Sequence, residues 1–89
     1  MKNKVLAWDY KAWLEYLSWL NQDRKLFRKI NRLIRSIYRN GYDCGIGEPE
    51  PLKYDKQVWS RRINQKDRLV YTVVKNRIII ISCRYHYHK

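Results

Sequence analysis

Glycine, proline and cysteine are scarce in this chain of 89 residues, with three, two and two of each. The two cysteines, Cys44 and Cys83, are too few and too far apart for a disulfide framework, so both are expected as free thiols. Together with His86 and His88 they also lack the paired spacing of a zinc site, and no metal or other cofactor is expected. Long apolar runs are missing too. Met1 to Lys4 leads straight into Val5-Leu6-Ala7-Trp8, which is too short for a signal segment or a membrane span. The expectation is a cytoplasmic protein with no membrane partner. Acidic residues are the last shortage: eight against twenty Lys and Arg, a formal net charge of +12 and a pI near 10.0. A body this small and this basic draws in polyanions.

What is present suffices for a core. The chain is 45% hydrophobic and 15% aromatic, which excludes wholesale disorder, and its length makes a single domain, residues 1–89. Residues 2–7 read as a first strand. Asp9 stands at an N-cap position before Ala12, Trp13, Tyr16, Leu17 and Leu20, spaced as one face of a helix. Asp23 is placed to cap a second helix, whose apolar stripe is Leu26, Phe27, Ile30, Leu33, Ile34, Ile37 and Tyr38. Gly41 ends it. Lys25, Arg28, Lys29, Arg32, Arg35 and Arg39 lie mostly off the stripe. They form either an ordinary solvated face or a phosphate-contacting one.

All the glycines and prolines then fall between Gly41 and Pro51, a loop that stiffens at Pro49-Glu50-Pro51. A carboxylate between two prolines has little backbone freedom, which suits a positioned base as well as a plain exposed turn. Val58 to Ile63 is an imperfect strand, Asn64 to Asp67 a turn, and Arg68 to Val74 a strongly β-prone run. Lys75-Asn76 connects tightly to Ile78-Ile79-Ile80-Ile81, which reads as a central strand buried on both faces. That strand runs into Cys83-Arg84-Tyr85-His86-Tyr87. Strict alternation would put His86 and Tyr87 on opposite faces, so the tail is expected to leave strand geometry after about Tyr85. The layout is α+β: an N-terminal strand and a two-helix hairpin packed on one face of a twisted, mainly antiparallel sheet of four or five strands. The other face is left for Arg62, Arg68 and the tail.

Four motifs carry a resemblance: Gly47-Glu48-Pro49-Glu50-Pro51-Leu52-Lys53, Trp59-Ser60-Arg61-Arg62-Ile63, Arg68-Leu69-Val70-Tyr71 and Cys83-Arg84-Tyr85-His86-Tyr87. In order and spacing the chain resembles the YoeB family of bacterial toxins, within the wider RelE-like group of small ribonucleases. The resemblance implies the RelE-like fold and an mRNA interferase that cuts messages in the ribosomal A site. It also implies neutralisation by a YefM-type antitoxin and allows a homodimer. Carried over by position, Glu50 is the general base, His86 the general acid, Arg68 the cation over the scissile phosphate, and Tyr87 a residue that orients the substrate. Lys53, Arg62 and Arg84 are candidates for phosphate or rRNA contact. Such chemistry is sound, because RNA supplies its own 2′-hydroxyl nucleophile and needs only a base, a cation and an acid. Glu48 stands where the family generally carries a basic residue, the 54–58 segment is about one residue short, and His88-Lys89 extends the tail. A non-catalytic basic module that blocks translation by binding RNA or ribosome is the alternative.

Overall fold

The computed structural model describes residues 4–84, so His86 and Tyr87 lie outside the described residues. Seven elements follow one another: β1 (Val5–Trp8), α1 (Tyr10–Gln22), α2 (Arg24–Asn40), β2 (Glu50–Pro51), β3 (Trp59–Arg62), β4 (Arg68–Val74) and β5 (Arg77–Ser82). The strands form one sheet in the order β1-β5-β4-β3-β2. Only β1 with β5 is a parallel pair; the others are antiparallel. The expected α+β architecture is the observed one.

Both helices start where the carboxylates allow. Asp9 accepts a hydrogen bond from the Lys11 N–H at 2.9 Å, and Asp23 accepts one from Leu26 at 3.1 Å, each satisfying an otherwise unpaired first-turn donor. Gly41, at φ 93°, takes the C-cap of α2, and its N–H reaches the Ile37 carbonyl at 2.9 Å. One core joins the layers: Ala12 and Trp19 from α1, Ile30, Leu33 and Ile37 from α2, and Leu69, Tyr71, Ile78 and Ile80 from the sheet. The rings of Trp8, Trp13, Tyr16 and Phe27 pack in a chain along its margin, so the aromatic stripe is packing material.

Four expectations are corrected. The first strand is Val5–Trp8, running one residue beyond the expected 2–7 span to take in Trp8. The Gly41–Pro51 segment is not loop throughout, because Glu50 and Pro51 pair with Ser60 and Trp59 as an edge strand. That edge position suits proline, which has no ladder donor to lose. The isoleucine strand is not central: it lies second from one edge, β4 is in the middle, and Ile79 and Ile81 are only half-buried. Finally, β5 ends at Ser82, before Cys83, well ahead of the expected departure near Tyr85.

That early end follows a bulge in the strand. Tyr71 pairs with Ile80 but its neighbour Val70 pairs with Ser82, so Ile81 is an extra, bulged residue. The bulge shifts the alternation by one. Ile78 and Ile80 face the helices, Ser82 joins Val70 on the opposite face, and Cys83 turns back into the core.

Candidate active site

Strand register assembles the site. Glu50 stands opposite Ser60, Ser60 opposite Val70, and Val70 opposite Ser82, which makes one lateral row across four strands. Arg62 and Arg68 form the next row of the same face, away from the helices. Along the β2 edge of that face lies a cleft of about 440 Å³ lined by Glu50, Pro51, Leu52, Lys53, Ser60, Arg62 and Arg68. Four residues singled out from the sequence therefore share one cleft, a carboxylate and three cations.

Each is held differently. The Glu50 side chain is exposed and has no hydrogen-bond or ion-pair partner among the described residues. Arg68 is the opposite case, buried to 8% exposure. Its Nη1 donates to the carbonyls of Asn64, Gln65 and Asp67 at 2.7, 3.2 and 3.1 Å. One nitrogen is thus spent on anchoring to the β3–β4 turn, leaving Nε and Nη2 without a protein acceptor among the described residues. A planar guanidinium held in this way is suited to a phosphate oxygen pair. The turn is itself tied: Asn64 Oδ1 accepts from the N–H groups of Lys66 and Asp67 at 2.7 and 2.6 Å. Lys53 extends over the Tyr54 ring at 5.5 Å, and Arg62 Nε forms an ion pair with Glu48 Oε1 at 3.2 Å.

Arg84 lies elsewhere. Its guanidinium stacks 3.9 Å from the Trp19 ring centroid, and Nη2 donates to Ser18 Oγ and Gln22 Oε1 of α1 at 2.6 and 3.0 Å. It is not among the residues that line the cleft. His86 and Tyr87 fall outside the described residues, yet their point of departure is well fixed. The Cys83 N–H donates to Glu15 Oε1 at 2.8 Å, its carbonyl accepts from Trp19 Nε1 at 2.8 Å, and its buried thiol lies 3.7 Å from the Ala12 carbonyl oxygen.

Sequence reasoning missed two contributors. Ser60 lies on the cleft floor at 5% exposure. Arg61 is fully buried, and its five N–H donors are all used: Nε to Tyr71 Oη, Nη1 to Ser36 Oγ and the Ile46 carbonyl, Nη2 to the Gly41 and Cys44 carbonyls. It pins the Gly41–Ile46 loop to the sheet and so sets the approach to β2. The available signal was the Arg61-Arg62 pair itself, since neighbours on a strand face opposite ways and one must point inward.

The chain is similar to known proteins along nearly its whole length. The family described as "YoeB-like toxin of bacterial type II toxin-antitoxin system" matches residues 8–87. The toxin YoeB of Synechocystis sp. is 47% identical over 85 residues, 94% of this chain and 98% of that one. The YoeB dimer structure from Staphylococcus aureus superposes with a TM-score of 0.90 at 45% identity, covering 97% of this chain and 100% of the other. A YoeB–YefM complex from the same species gives 0.86 at 44% identity, with the same coverage.

Proposed function

The chain belongs to the YoeB-like toxin family of bacterial type II toxin–antitoxin systems, and from that premise we propose that it is an endoribonuclease that cuts mRNA in the ribosomal A site and stops translation. The observation that carries this reading is the single cleft joining Glu50 to Lys53, Arg62 and Arg68. A lone carboxylate facing three cations fits a phosphodiester whose 2′-hydroxyl must be deprotonated.

In the proposed reaction Glu50 takes the 2′-hydroxyl proton and the freed oxygen attacks the adjacent phosphorus. Arg68 stabilises the charge that builds on the phosphorane oxygens, with its orientation set in advance by the three turn carbonyls. His86 gives a proton to the departing 5′-oxygen, a role suited to a side chain that ordinarily titrates near neutrality. Tyr87 orients the nucleotide. The products are a 2′,3′-cyclic phosphate and a 5′-hydroxyl, and no step calls for a metal. Lys53 and Arg62 hold flanking phosphates, while Arg84 contacts RNA beside α1. A YefM-type antitoxin is the neutralising partner and a homodimer an assembly of the toxin; a YoeB–YefM complex and a YoeB dimer from Staphylococcus aureus support both.

The test is message-end mapping on programmed ribosomes with the parent, Glu50→Gln and His86→Ala. Each variant should lose cleavage by about 10²-fold or more, the usual worth of a general acid or base, while ribosome binding survives. Arrest of translation with intact messages would replace this reading with steric blockade.

A further inference from the structure

Glu48 has a backbone that its residue type does not favour. It sits at φ 53°, in the left-handed region, one of two non-glycine residues there among the described residues. The backbone is fixed beside β3 because the Arg62 N–H donates to the Gly47 carbonyl at 2.7 Å. From this position the carboxylate forms an ion pair with Arg62, Oε1 lying 3.2 Å from Nε. Arg62 is a cleft residue, and Glu50, also in the cleft, follows only two positions after Glu48. The one stiff segment therefore presents two carboxylates, one facing the cleft and one neutralising a cation that would otherwise be ready for phosphate.

We infer that Glu48 is an intramolecular competitor for the RNA phosphate that Arg62 receives, lowering the affinity of the cleft for RNA. This rests on the ribonuclease reading above and adds to it. The pair is suited to exchange. Both side chains are largely in solvent, 47% exposed for Arg62 and 76% for Glu48, and an ion pair so exposed is worth little. An arriving phosphate offers two acceptor oxygens to the same guanidinium and displaces the carboxylate.

The experiment is a double-substitution cycle with Glu48→Gln, Arg62→Gln and the double variant. It reads Kd for a message with a non-cleavable 2′-deoxy linkage on programmed ribosomes, across a salt series. Thermal unfolding of each variant checks that it folds. Glu48→Gln should tighten binding about two- to fivefold, the span set by a surface ion pair. The slope of log K against log salt should change by much less than the ~0.7 of one whole phosphate on a single strand, because Arg62 meets the phosphate in parent and variant alike. In the R62Q background the same change should do nothing. Equal tightening in both backgrounds would mean that Glu48 acts through the general field, and the inference falls. No change in either background overturns it as well. A parent that neither binds nor cleaves message overturns the ribonuclease reading, a result separable from the other two.

Discussion

Cys83 shows how a single residue can fix the end of a fold. Its N–H, carbonyl and thiol each meet a different group of α1, so the chain that continues toward His86 starts from a point set by three contacts. Burial first, and the Glu15 carboxylate second, push its thiol up to about 12. At pH 8 a thiol reagent should therefore modify one cysteine of the folded protein, the exposed Cys44, and a second only in denaturant. Linkage gives a further prediction. A thiol held protonated in the fold contributes stability in full below its ordinary value near 9.0, and that contribution is lost as pH rises toward 12. The thermal midpoint should fall across that alkaline window, and Cys83→Ala should flatten the fall. It should not abolish it, because burial also raises Tyr71, a second acid that the fold keeps protonated.

At the scale of elements, the Gly41–Ile46 loop and the buried arginine beneath it stand or fall together. Lysine at position 61 brings at most three donors to five acceptors, so Arg61→Lys leaves carbonyls or hydroxyls unmet and should cost about 3 kcal/mol or more. Gly45 closes the same knot: its φ is +113°, and an added Cβ would meet Ser36 Oγ and Arg61 Nη1. Gly45→Ala should cost about 1–3 kcal/mol from the backbone alone. Urea titration would read both as a lowered midpoint at unchanged slope. This loop also marks the limit of legibility. Capping carboxylates, helix periodicity and the span of β4 are local signals, and they read through directly from Asp9, Asp23 and Arg68 to Val74. The bulge at Ile81 is different, since it arises from the competition between strand pairing and the anchoring of Cys83 on α1, two contacts distant in sequence. Arg61 was hidden for the same reason, its partners lying 10 to 25 positions away. The cleft residues were legible because motif order stood in for the register that brings Glu50, Arg62 and Arg68 together.

Over the whole molecule, charge is distributed against the local preferences of the helix that carries most of it. The first turn of α2 has no acid and includes Arg24 and Lys25, at the end where the helix dipole disfavours cations by about 0.3–1 kcal/mol each. Arg28, Arg32 and Arg35 follow, all exposed, and with Asn31 they line a shallow groove of about 290 Å³. A merely solvated face would not need such a sequence, since glutamates spaced among the arginines would serve solubility and stabilise the helix as well. The arrangement is sensible if the partner supplies the negative charge. RNA does so at every phosphate, and the salt dependence of binding counts the contacts made. Replacing Arg28, Arg32 and Arg35 together with glutamine should therefore lower the slope of log K against log salt for ribosome binding by about 2, three single-strand phosphates at about 0.7 each. Thermal stability should stay near that of the parent, because exposed arginines contribute little to the fold. Glu50→Gln, which removes the base and no cation, should leave the cationic contribution of α2 in place. If the triple variant kept the parent slope, the basic face of α2 would be solvated surface, and the attraction of this molecule for polyanions would have to reside in the cleft face alone.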